Sequence, residues 1–231
     1  MRISLTILIL TCFVASSIAQ PSLTIRGKTG DLRSSKVYLF FVNPVRSDTT
    51  LVDSATAIRQ QFSFRQSLRE PKQAFILLKN HSEKVAFLWD NNIEVSLNDR
   101  SSTTSTIINS VATNEWYDFT AGLDSTYEQE VIAFAREKAA IRHKPQKTVA
   151  YDSSSVMKFV RTGLRLLPVR RRQLVMFRER HPFSWVNLYL LCWYRPELGR
   201  ANVYQLMTQL PTHLKESSLY RQLDLALQEM N

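Results

Sequence analysis

The chemistry-bearing residues of this chain are four histidines, two cysteines and one dense run of arginine and lysine. His81, His143, His181 and His213 stand far apart. None has a second histidine or an acid at the spacing of HExxH, where two imidazoles one helical turn apart face one ion. Each reads as a surface or turn residue, and no metal ligand is expected. Cys12 lies in the apolar start of the chain, which leaves Cys192 alone in the remainder. One thiol cannot close an internal disulfide, form a CxxC pair or build a thiolate zinc site. Between Leu190-Leu191 and Trp193-Tyr194 it reads as a small buried hydrophobe. Glu128 and Glu130 are two residues apart on an expected helix, so they face different ways and read as solvated charge. No GxSxG, Walker or GxGxxG motif occurs, and the chain holds only five glycines, so a phosphate-cradling loop is not expected. The residues therefore point to no catalytic group and no cofactor, and to a protein that is not an enzyme.

Charge is the sharper signal. The formal net charge is +10, but residues 20–141 carry fourteen basic side chains against fourteen acidic ones, and residues 181–231 four against four. Residues 142–180 carry eleven against Asp152 and Glu179 alone. Within that block Lys158, Arg161, Arg165, Arg170, Arg171 and Arg172 lie on either side of Pro168. Together they form a candidate anion-binding face for anionic lipid, lipopolysaccharide phosphate or an acidic protein. The plain alternative is a solvated helical surface. No recognised nucleic-acid motif accompanies the charge, and nucleic acid is not expected as a partner.

The elements that must position these residues fall into two classes. Short alternating runs read as strands: Ser22 to Gly27, Lys36 to Val42, Thr50 to Thr56, Gln61 to Leu68, Gln73 to Lys79, Val85 to Trp89, Ile93 to Leu97 and Thr103 to Ile108. Asp90-Asn91-Asn92 has the chemistry of a hairpin turn joining the sixth and seventh. Val52, Phe62, Phe64, Phe75 and Leu77 are natural core positions. Strands this short and evenly spaced predict an antiparallel sandwich or open barrel over residues 20–110.

From 111 to 231 the period changes to that of helices. Trp116, Phe119, Leu123, Tyr127, Val131, Phe134 and Ile141 mark one helix, with Thr113 as its N-cap and Glu115 in its first turn. Ser153 to Leu167 and Val169 to Arg180 predict two more, separated by Pro168. Ser184 to Tyr194 is apolar nearly all round and should be the buried centre of this region; Asn202 to Leu210 and Ser217 to Met230 complete it. The fold class expected is α+β.

Residues 1–19 read as a secretory signal peptide: Arg2, an apolar run to Ala15, then Ser17-Ile18-Ala19 as the cleavage site. A lipoprotein signal through Cys12 is the alternative. Either way the protein is expected to be exported to the periplasm or cell envelope.

A family resemblance accompanies this pattern. Ile25-x-Gly27, Lys36-Val37-Tyr38-Leu39, Asp53-Ser54-Ala55, Phe62-Ser63-Phe64 and Glu70-Pro71 resemble the uncharacterised β-rich domain of secreted, TlpA-like thiol-disulfide interchange proteins of Gram-negative envelopes. Val175 to Ser184 and Leu214 to Leu223 are similar to the helical region connecting that domain to thioredoxin. The family usually has Gly between its third and fourth strands and after the FSF-like strand. Here Arg59-Gln60-Gln61 and Gln66 stand there, and such residues resist positive φ. The chain stops at Asn231, where the family's thioredoxin domain would begin, and has no CxxC. The resemblance thus implies a stand-alone, non-catalytic envelope interaction module. Its partner would be an envelope protein. The alternatives are an auxiliary role beside a separate thioredoxin-like oxidoreductase, and attachment to anionic membrane surfaces through residues 142–180.

Overall fold

The computed structural model describes residues 22–30, 35–79, 84–98, 105–122 and 153–229, with side chains from 167 onward in the last stretch. The fold is α+β. Eight strands, β1 (Ser22–Thr29), β2 (Lys36–Asn43), β3 (Asp48–Thr56), β4 (Gln61–Ser67), β5 (Lys72–Leu78), β6 (Lys84–Trp89), β7 (Ile93–Leu97) and β8 (Thr106–Ile108), build two four-stranded sheets. Sheet A has the order β4-β1-β7-β8 and sheet B the order β3-β2-β5-β6. The sheets do not close into a barrel.

Period-2 alternation sorts each strand between a dry face and a wet one. Ile25, Phe64, Ile93 and Val95 of sheet A meet Val37, Leu39, Ile76, Phe87 and Trp89 of sheet B in one core. The intervening residues of sheet A, among them Arg26, Lys28, Ser63, Glu94 and Ser96, face outward and are exposed.

Two strand expectations are corrected. β6 and β7 are not a hairpin: β6 pairs with β5 in sheet B, whereas β7 pairs with β1 in sheet A. Trp89 and Ile93 both belong to the inter-sheet core, so residues 90–92 cross from one sheet to the other. The turn is held by the Trp89 indole, which donates to the Asn91 carbonyl at 3.0 Å. The strands are also not wholly antiparallel, because β1 and β7 run parallel.

The β3–β4 corner lacks the expected glycine yet takes the glycine conformation. Arg59 and Gln60 have φ of 50° and 67°, and Ile58 and Gln61 exchange backbone hydrogen bonds of 2.9 and 3.0 Å across them. Two consecutive positive φ values are the signature of a type I′ turn. An L-residue with a side chain costs about 1–2 kcal/mol in this region. Gln60→Gly is therefore expected to raise stability by about 1 kcal/mol in chemical denaturation.

Six helices follow among the described residues: α1 through residues 111–122, α2 (Ser153–Arg180), α3 (Val186–Leu198), α4 (Arg200–Met207), α5 (Thr212–Lys215) and α6 (Ser218–Gln228). The N-cap of α1 is Ser110, not Thr113: the Ser110 hydroxyl accepts from the Thr113 amide at 2.9 Å. The expected continuation of this helix from Leu123 to Ile141 lies outside the described residues. The break expected at Pro168 is absent, and α2 runs through it as one helix of 28 residues. Proline removes one helical hydrogen bond; here its ring is exposed, while Leu174 and Phe177 anchor the following turns in the helical core. That core is centred on α3, as its composition suggests, with Leu188, Tyr189, Leu190 and Leu191 buried.

Candidate functional site

Leu88 belongs to the helical core, although it is a strand residue. Its register partner is Gln73, so both lie on the outer face of sheet B. The helices cover that face. The Leu88 amide donates to Thr113 Oγ1 at 3.0 Å, and its carbonyl accepts from the Ser110 hydroxyl at 2.9 Å. The start of α1 is thereby tied to β6.

The loop between β4 and β5 makes the second tie. The buried Tyr189 hydroxyl donates to the Pro71 carbonyl at 2.8 Å and accepts from the Gln73 amide at 3.2 Å. Burial pushes its phenol well above its usual range, which keeps the donating proton in place. The Trp193 indole donates to Gln73 Oε1 at 3.1 Å. Glu70 receives the Ser218 amide at 3.0 Å, the Ser218 hydroxyl, and Lys72 Nζ at 2.7 Å. Its carboxylate thus sits at the first turn of α6, where exposed amides favour negative charge.

Burial alone would raise the Glu70 pKa; the bonds from Lys72 and Ser218 outweigh it and hold the carboxyl below its usual range. A depressed carboxylate contributes stability above its unfolded-state pKa and loses it as pH falls through the folded value. Glu70→Gln should therefore cost about 1.5–3 kcal/mol at neutral pH. The gap from wild type should close at strongly acid pH, as thermal melts across the pH range can show.

The open face lies on the opposite side of the sandwich. A groove of about 960 Å³ runs over the outer face of sheet A. Arg26, Lys28, Ser63, Glu94 and Ser96 line its floor, and Ile58 and Ile108 stand at its edges. No described helix covers it.

The basic block does not converge into one face among the described side chains. Arg170 is buried, its Nε 3.3 Å from Glu197 Oε2 and its guanidinium 4.0 Å from the Tyr194 ring centroid. Arg171 donates to Gln205 at 2.6 Å, and Arg172 is exposed. The side chains of Lys158, Arg161 and Arg165 lie outside the described residues.

His81, His143, Glu128 and Glu130 also lie outside them. His181 Nδ1 is 3.1 Å from Glu115 Oε1, and the Ser184 hydroxyl bonds the other oxygen of that carboxylate. Imidazole and hydroxyl both address Glu115 rather than each other, which is not the nucleophile–base order of acyl transfer. The same hydroxyl accepts from the Val186 amide at 3.1 Å, so the cluster secures the start of α3. His213 Nε2 rests 3.2 Å from the Phe183 carbonyl. Among the described residues no three His, Cys, Asp or Glu side chains gather as metal ligands. Cys192 is buried, and burial pushes its thiol up to about 12 against the pull of Arg195.

Residues 23–116 match DUF4369, a domain of unknown function.

No curated protein and no solved structure matches the chain. The DUF4369 match takes in both sheets, the whole groove and the first half of α1. Glu70, Pro71 and Gln73 fall within it; Tyr189, Trp193 and Ser218 lie beyond it. Arg26, Lys28 and Glu94 are the residues that sequence reasoning missed. Their only signal was outward alternation on β1 and β7, which looks the same as an ordinary solvated face.

Proposed function

We propose that the protein is an exported, non-catalytic binding module of the cell envelope, and that its ligand docks on the open face of sheet A. One observation carries the reading: the helices occupy the outer face of sheet B, and no described helix covers the groove of about 960 Å³ on the opposite face. The character of the first nineteen residues supports export. The resemblance to TlpA-like envelope proteins supports the finer reading, a counterpart of their accessory region.

The test is affinity capture from envelope extract. The chain from Gln20 is used as wild type and as the double variant Arg26→Glu, Lys28→Glu. A partner recovered by wild type and lost from the variant upholds the reading; equal recovery by both sinks it. Identification of that partner as a thioredoxin-like oxidoreductase would favour the auxiliary role in thiol-disulfide exchange. The redox chemistry would then be the partner's, because Cys192 is buried and held protonated. Anionic surfaces are the weaker alternative, since Arg170 is committed to Glu197 and Tyr194.

A further inference from the structure

Taking the open face of sheet A as the binding face, we propose that its groove holds an extended acidic peptide segment of a partner protein, of the pattern apolar–x–acidic–x–x–x–apolar. The register supplies the pattern. Ser63, Arg26, Glu94 and Ile108 form one row across the four strands, and Gln61, Lys28, Ser96 and Thr106 form the next. Arg26 and Lys28 are neighbours on the same face of β1, so their charges act on one locus.

The edges are apolar. Ile58 is 71% exposed beside β4, and Ile108 is 53% exposed on β8. Ile58 pairs with Gln61 on the outer side of β4, so from Ile58 to β8 is four strand spacings, about 19 Å. An extended peptide advances about 3.4 Å per residue and repeats its facing every second one. Residues i and i+6 then reach the two isoleucines, and residue i+2 points at the floor over β4 and β1.

Charge selects what stands at i+2. Arg26 and Lys28 attract a carboxylate, and Glu94 on β7 repels it toward β1. The lining offers no aromatic platform for a base to stack on: the Phe62 ring is turned inward over Gly27 and is buried.

Fluorescence anisotropy tests this with a labelled Leu-Ser-Glu-Ser-Ser-Ser-Leu segment and its glutamine counterpart, against the chain from Gln20. The expected result is binding of the glutamate peptide that weakens with salt, and about tenfold loss in Arg26→Gln or Lys28→Glu. Glu94→Gln should tighten binding about two- to threefold, a gain that a merely structural role would not produce. Arg221→Glu, at an exposed position of α6 outside the groove, should leave binding unchanged. Equal binding of the glutamine peptide, or equal loss in Arg221→Glu, overturns the proposal. So does no binding of the glutamate peptide. If the peptide fails while the groove double variant still empties the envelope capture, the ligand class is wrong and the binding face stands. If both fail, both readings fall.

Discussion

Gly27→Val is expected to lower stability by about 3 kcal/mol or more. Gly27 and Phe62 are register partners on β1 and β4, and both are buried in the inter-sheet core. The Phe62 ring lies flat against the glycine: a Cβ there would sit 1.9 to 2.3 Å from three ring carbons. The ring cannot retreat, because it packs against Phe64 at 5.6 Å between centroids. Overpacking of this kind usually costs about 1–3 kcal/mol, and a contact so far inside van der Waals range belongs at or above the top of that range. A protein of ordinary stability has about 5–15 kcal/mol in total. Gly27→Ala should be milder but still strongly destabilised, and Phe62→Leu should rescue part of the loss by vacating the space. Chemical denaturation of the two single variants and the double one measures this. Wild-type stability in Gly27→Val would contradict the packing described.

Tyr189→Ala should lower stability by about 3–5 kcal/mol, the usual cost of truncating a large buried aromatic. Tyr189 is 2% exposed, packs with Trp193 at 5.7 Å, and carries the hydroxyl that bridges Pro71 and Gln73. Tyr189→Phe keeps the ring and removes only the bridge. It should cost about 1–3 kcal/mol, because the Pro71 carbonyl and the Gln73 amide lose their partner where water does not readily replace it. The readout also distinguishes docking from packing. Trp116 and Trp193 report on the helical core, and Trp89 on the sandwich. Wild type should unfold in one transition by fluorescence and by circular dichroism. Tyr189→Ala should separate the two probes, since the two cores then lose one of their ties. An unchanged midpoint in Tyr189→Ala would show that the helices are not held to sheet B through this residue.

Both predictions rest on residues that the sequence marked for another reason. Ile25-x-Gly27 and Phe62-Ser63-Phe64 were visible as separate short motifs; the register joins them, because the glycine makes room for the phenylalanine. Glu70-Pro71 reads as a turn, yet its carboxylate caps α6 and its carbonyl receives Tyr189, at separations of 148 and 118 residues. Strand positions were legible because alternation is local. Sheet membership was not, because Asp90-Asn91-Asn92 carries hairpin chemistry in either case. Only the demand that Trp89 and Ile93 share one core sends the chain across. Pro168 misleads for a similar reason: its penalty is local, and the anchoring of Leu174 and Phe177 that offsets it is not. The basic block was legible as charge, but the inward turn of Arg170 depends on Glu197 and Tyr194, which lie on a different helix. The groove was illegible for the same physical reason. Glu94 joins Arg26 and Lys28 only through the parallel pairing of β1 with β7.

The central claim, that ligand engages the open face of sheet A, is tested most directly by photo-crosslinking in the cells that make the protein. A benzophenone side chain is placed at Ser96 in the groove, and separately at Arg172 on α2 and at Leu225 on α6, all exposed positions. The structure predicts a discrete crosslinked species from position 96, abolished by Arg26→Glu with Lys28→Glu, and none of that species from 172 or 225. Crosslinks confined to 172 or 225, with position 96 silent, would contradict it.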